Sequence, residues 1–215
     1  MTILALEFSS AQRSVAVASN ESVLSQAAET GGRGMAAFAL IEKALAGASI
    51  EREQIQAIAV GLGPGSYTGI RAAIALAEGW NLARKVALTG ASSVAAIVVQ
   101  AQSEKIYAPV TVVVDAQRGE FYCATYDITA TGWTEQAPLK ILPPSGVLEL
   151  SRNRVVIGPE APQFPAGRLV FPSAAAVAKL AAAGPDFTPD KPLEPIYLRQ
   201  TDFTKAKAAG INTQP

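Results

Sequence analysis

The residues best placed to do chemistry lie in Gly61-Leu62-Gly63-Pro64-Gly65-Ser66-Tyr67-Thr68-Gly69-Ile70-Arg71, directly after the apolar run Ala57 to Val60. Four glycines and a proline break helix and ladder alike, so the stretch reads as a buried strand, a tight turn and the start of a helix. Such a turn exposes backbone N–H groups. Ser66 or Thr68 can cap the helix, whose positive dipole end then faces the same space, and the chemistry this suggests is anion binding. The plainer reading is that the glycines only allow a tight crossover. A second cluster lies at the end of the first apolar run, where Glu7 is followed by the hydroxyls of Ser9 and Ser10. It reads either as a solvated turn or as a phosphate or metal-water site.

Spacing narrows these options. A phosphate-cradling P-loop needs Gly-Lys-Ser/Thr at its end, but Gly69 is followed by Ile70 and no lysine is present. A dinucleotide fingerprint needs a third glycine at Ser66 or Thr68, depending on where the count begins, and neither is glycine. The chain has no histidine, which removes Ser-His-Asp, Cys-His and histidine-metal mechanisms. Cys123 is the only cysteine and sits in Phe121-Tyr122-Cys123-Ala124, the pattern of a strand interior. Eighteen basic and eighteen acidic residues cancel, so no global field draws the chain to nucleic acid or to a membrane. No run approaches the length of a membrane span and Glu7 interrupts the first apolar run too early for a signal peptide, which predicts a cytoplasmic protein.

The elements that must position these residues follow in order. Ile3 to Phe8, Ser14 to Ala18 and Val23 to Ala28 are three strand-like runs separated by turn residues, a meander of hairpins. A helix is expected from Met35 to Gly47, with Phe38, Ile41 and Leu45 at helical spacing, and another from Thr68 to Arg84. Gly69, Ala73 and Ala77 lie along one face of the second helix and Ala72, Leu76 and Gly79 along the next, which permits close approach of another helix. Lys85 to Leu88 should be a strand and Ser92 to Gln102 a helix. A second unit opens with the strand Val110 to Val114, the hairpin Asp115-Ala116-Gln117-Arg118-Gly119 and a strand from Glu120 to Tyr126. Trp133 begins a further strand, Val155 to Gly158 is another, and Ser173 to Ala183 is an alanine-rich helix ending at Gly184. The repeated order suggests two related halves.

That order resembles the duplicated α/β fold of the actin, hexokinase and Hsp70 superfamily, with two ribonuclease H-like, mixed-sheet subdomains flanked by helices. The resemblance divides the chain at 1–104 and 105–195, with 196–215 as a segment that could complete the first half. It implies that Glu7, Ser9 and Ser10 on the first hairpin, and Asp115 on the second, face nucleotide phosphates. Four blocks, Ile3 to Ser10, Gly63 to Arg71, Asp115 to Tyr122 and Glu194-Pro195-Ile196-Tyr197-Leu198-Arg199, closely resemble the TsaB (YeaZ) family. Membership implies a non-catalytic subunit needed for threonylcarbamoyl transfer to the adenosine next to the tRNA anticodon. Such a subunit pairs with a TsaD-type catalytic chain and a TsaE-type ATPase, forms a homodimer when alone, and meets tRNA only through the complex. It implies no metal and no cofactor of its own, with a nucleotide at a subunit interface as an option. Glu7 stands where family members usually have Asp. Met35, Phe38 and Ala73 are the expected partner contacts. The rival expectation is an ATP-dependent kinase or ATPase of the same superfamily, using Glu7 and Asp115 around magnesium.

Overall fold

A computed structural model describes residues 1–19, 22–31, 37–184 and 192–198. Strands β1 (Thr2–Glu7), β2 (Gln12–Ser19) and β3 (Ser22–Thr30) form the expected antiparallel meander. Helix α1 (Ala37–Ala48), β4 (Ala57–Gly61), α2 (Tyr67–Arg84), β5 (Ala87–Ala91) and α3 (Ser93–Ser103) follow, and β4 and β5 add in parallel beside β1. The first sheet therefore runs β3-β2-β1-β4-β5. Strands β6 (Pro109–Asp115), β7 (Phe121–Ile128) and β8 (Trp133–Leu142) form a second meander. After α4 (Pro144–Leu150) come β9 (Val155–Gly158), β10 (Arg168–Leu169) and α5 (Ala174–Ala183). The second sheet runs β8-β7-β6-β9-β10, the same plan of three antiparallel and two parallel strands, so the chain is the expected duplicated α/β fold.

The central strands are buried on both faces, which is why β1 and β4 read as unbroken apolar runs. Leu4, Leu6, Ile58 and Val60 face α1 and α2, whereas Ile3, Ala5, Ala57 and Ala59 face α5. Small residues fill both sides of the α5 contact: Ala16 and Ala18 of β2 join Ala174, Ala178 and Ala181 of the helix. Sheet residues also hold the start of α5, where Ser14 Oγ accepts from Ala174 N at 2.8 Å and Gln26 Oε1 accepts from Ala175 N at 2.9 Å. Thus α5, late in the chain, packs on the first sheet, and α3 contacts both α5 and the second sheet.

Two elements differ from expectation. The strand expected at Lys85 to Leu88 begins at Ala87, because Lys85 takes a left-handed conformation (φ 56°) as the C-cap of α2. Helix α4 was not anticipated. It starts in a proline pair: Pro143 is its N-cap and Pro144 its first residue, where a missing N–H costs nothing. Of the first expected helix, 35 and 36 lie outside the described residues, as does the segment 199–215.

Candidate functional site

Two surfaces gather the residues singled out above. The first is a polar cleft of about 350 Å3 where the β1–β2 hairpin, the β4–α2 loop, the β6–β7 hairpin and the turn after β9 converge. Ser9, Ser10, Ser66, Tyr67, Thr68 and Asp115 all line it, so the expected residues of both halves do meet.

Glu7 does not join them. Its side chain is fully buried, with Oε1 accepting from Ser9 N at 2.7 Å and Oε2 from Ser93 Oγ at 2.7 Å. Ser93 Oγ in turn accepts from Gly63 N at 3.0 Å, which ties β1, the glycine loop and the start of α3 into one network. The longer arm of Glu turns inward because Gly61 leaves room: a β-carbon there would fall 1.9 Å from Oε2. Burial raises the Glu7 pKa above its ordinary 4.5, against the lowering effect of its bonds to Ser9 and Ser93. The expected nucleotide-facing acid is therefore a structural strut. Ser93, its partner, was not singled out from sequence, and Gly61 was read only as part of the glycine turn, because only the folded packing brings them to Glu7.

The glycine loop also serves packing first. The Gly63–Pro64 peptide is cis and both residues are buried. Ser66 N donates to the Ser9 carbonyl at 2.7 Å, and Ser66 Oγ caps α2 by accepting from Gly69 N at 3.3 Å. β-Carbons built at Gly65 and Gly69 would lie 2.1 Å and 2.0 Å from the carbonyl oxygens of Ser9 and Phe8. The glycines bring α2 against the β1–β2 hairpin, and the N–H groups of Gly63, Ser66 and Gly69 are spent inside the protein. Thr68 and Tyr67 remain exposed on the cleft side. Arg71, one turn on, places its guanidinium 4.4 Å from the Tyr67 ring centroid. Tyr197 stacks on Tyr67 at 5.7 Å and Ile196 N donates to Leu62 O at 2.8 Å, so two blocks distant in sequence form one surface.

From the second half, Asp115 accepts from Gln117 N at 2.7 Å and from Gln117 Nε2 at 2.6 Å. Beside it lies Glu160, which was not singled out from sequence. It follows Gly158, whose φ of 132° and close approach to Val113 O bring the Pro159–Glu160 turn against β6. Burial, with the Asp115 carboxylate adding to it, pushes the Glu160 pKa up to about 7, and its Oε2 is buried without a partner. The available signal was the duplication itself, since β9 and its turn repeat β4 and the glycine loop. Among the described residues, no group of three or more His, Cys, Asp or Glu is placed to hold a metal ion.

The second surface is an apolar groove of about 390 Å3 between α1 and α2, lined by Phe38, Ile41, Ala75, Leu76, Gly79 and Trp80. Phe38 is 69% exposed. The ion pairs Arg52–Glu42 and Arg84–Glu53 edge the groove. Ala73, expected here, is fully buried against the sheet along with Gly69 and Ala77. That row of small residues seats α2 on its own sheet, and the neighbouring row through Leu76 and Gly79 faces out. Met35 lies outside the described residues.

Comparison with known proteins places these features in context. The family described as TsaD, tRNA N6-adenosine threonylcarbamoyltransferase, matches residues 36–193. An uncharacterised Mycobacterium tuberculosis protein is 33% identical over 161 residues, 74% of this chain and 71% of that one. The Escherichia coli tRNA threonylcarbamoyladenosine biosynthesis protein TsaB is 33% identical over 109 residues, covering 48% of this chain and 47% of its own. The solved structure of YeaZ from Pseudomonas aeruginosa superposes with a TM-score of 0.76 at 25% identity, covering 92% of this chain and 99% of that one.

Proposed function

Because the chain belongs to the TsaB/YeaZ family, within the wider threonylcarbamoyltransferase family, we propose that it serves threonylcarbamoyladenosine biosynthesis in tRNA as a non-catalytic subunit. It pairs with a TsaD-type catalytic chain through the groove between α1 and α2, works with a TsaE-type ATPase, and pairs with a second copy when alone. Its contact with tRNA is indirect and its place is the cytoplasm, where tRNA is modified. No described helix is long and apolar enough to cross a membrane.

The observation that carries the non-catalytic role is the position of Glu7. A phosphotransferase of this superfamily needs the acid at the end of the first strand to face magnesium and phosphate, and here both its oxygens are engaged inside the protein. The chain also lacks histidine, which leaves the usual general base near neutral pH without a candidate. Pairing draws support from the exposed Phe38 and the small residues Ala75 and Gly79, which let a partner side chain reach the floor of the groove. Desolvated apolar anchors within a charged rim are the pattern of a specific interface.

Reconstitution tests the reading. With the cognate TsaD-type and TsaE-type chains, omission of this chain should abolish tRNA threonylcarbamoylation. Gly79→Arg or Phe38→Asp should abolish co-purification with the catalytic chain while leaving the melting temperature within a few degrees. Tight magnesium–ATP binding and turnover by the isolated chain would instead establish the kinase or ATPase alternative.

A further inference from the structure

Along the outer side of α2, beside the groove, runs a stripe whose order of residue types the groove lining does not account for. Thr68, Arg71, Ala75, Glu78 and Leu82 are all exposed, and spacings of three, four, three and four residues set them in one line along the helix. Leu82, near the C-terminal end, is 76% exposed, and Tyr67, at the N-terminal end, is 55% exposed. Tyr197 and Leu198 widen the Tyr67 end, since the Tyr197 ring stacks on that of Tyr67 and both residues are exposed. The stripe thus has an apolar patch at each end, one cation and one anion between them, and the small Ala75 at its middle. Arg71 lies over the Tyr67 ring, and neither it nor Glu78 has an ion-pair partner among the described residues.

Turned end for end, this order matches itself. A second copy of α2, running antiparallel about a two-fold axis at Ala75, brings the two Ala75 side chains together. It sets Arg71 of each copy beside Glu78 of the other, and lays each Leu82 against the other copy's Tyr67 and Thr68. Opposite charges then meet twice, both exposed apolar ends are covered, and alanine at the crossing lets the helix axes approach closely. A parallel copy does the reverse, since Arg71 would face Arg71 and Glu78 would face Glu78. We propose, resting on the reading of the α1–α2 face as the pairing surface, that the chain without its catalytic partner forms a homodimer whose central seam is this antiparallel pair of α2 helices, with its two-fold axis at Ala75. The segment from Leu193 to Leu198 gains a role in that seam: held to Leu62 O through Ile196 N and to Tyr67 through Tyr197, it backs the aromatic end on which Leu82 of the second copy lands.

Sedimentation of the full chain over a range of concentrations reads the dimer, and charge reversal reads its register. Arg71→Glu and Glu78→Arg each place like charges across both pairs and should raise the dissociation constant about tenfold or more. The double variant restores opposite charges and should return it to within about threefold of the parent. Both side chains are exposed, so the melting temperatures should stay within a few degrees of the parent. Cysteine crosslinking reads the direction independently. Ala75→Cys should oxidise to a disulfide-linked dimer, whereas Ala83→Cys, whose two copies lie about 24 Å apart along antiparallel axes, should not. Cys123 is buried and does not compete. A chain that stays monomeric, single variants that leave the dimer unchanged, a double variant no better than the singles, or crosslinking through Ala83→Cys in preference to Ala75→Cys would overturn the proposal. If the parent is monomeric and Arg71→Glu weakens co-purification with the catalytic chain, the stripe belongs to that chain and the homodimer seam is refuted. Threonylcarbamoylation of tRNA in the reconstituted system is scored separately, so a failed register and a failed family reading give different results.

Discussion

Replacing Gly69 by alanine separates the two readings of the glycine loop. Judged as a helix residue alone, Gly69→Ala in the first turn of α2 should stabilise by about 1 kcal/mol, the difference in helix propensity. Its β-carbon, however, would sit 2.0 Å from the Phe8 carbonyl oxygen, and ordinary contact begins at 3.4 Å. Helix and hairpin must part by 3.4 − 2.0 = 1.4 Å along that line. Both sides are backbone, so no side chain can rotate out of the way. Such overpacking costs roughly 1–3 kcal/mol, and the displacement also breaks the Ser66 N to Ser9 O bond, worth about 1 kcal/mol. The net expectation is a loss of about 1–3 kcal/mol in spite of the better helix former. Gly79, on the same helix with nothing within 4 Å of its missing β-carbon, is the internal control and should gain about 0.5–1 kcal/mol as alanine. Urea denaturation followed by circular dichroism reads both, and hydrogen exchange at the Ser66 amide reports the parting directly. If the two variants stabilise equally and the Ser66 amide stays protected, the glycines are not there for close backbone approach.

Two further outcomes follow from buried polar contacts. Glu7 has a folded pKa above 4.5, so the folded state holds a proton that the unfolded state releases, and stability falls as pH climbs past 4.5 toward the raised value. Glu7→Gln should flatten that slope in thermal melts between pH 5 and pH 8; an unchanged slope would refute the assignment. Ser14→Ala removes the buried acceptor for Ala174 N and should cost about 1–2 kcal/mol by chemical denaturation, where an exposed serine would cost almost nothing.

Local patterns were legible where local forces decide. The apolar runs of β1, β2, β4 and β6 gave strands because both faces are buried, and of the two candidate caps, Ser66 and Thr68, it is Ser66 that caps α2, one residue before the expected start. The β6–β7 hairpin at Asp115 to Gly119 was equally plain. Direction of a side chain was not legible. Glu7 ends a strand beside hydroxyls in either reading, and its inward turn depends on Gly61 from the adjacent strand and Ser93 from another helix. Ala73 was assigned to the surface because two rows of small residues on α2 look alike in sequence, and only the sheet beneath decides which is covered. Glu160 escaped notice because its turn holds no glycine cluster, although its place in the second half matches the loop that drew attention first.

The seating of α5 has a consequence for how the protein is made. Strands β1 to β5 end at Ala91, but one apolar side of their sheet, with Ile3, Ala5, Ala16, Ala18, Ala57 and Ala59, stays uncovered until Ala174 to Ala183 have been synthesised. On the ribosome, the first half must wait with that side bare while the whole second sheet emerges, a window in which chaperones and self-association compete for it. Dividing the gene after the first five strands would therefore yield an insoluble fragment, and a soluble version would need α5 supplied in trans or fused to its end.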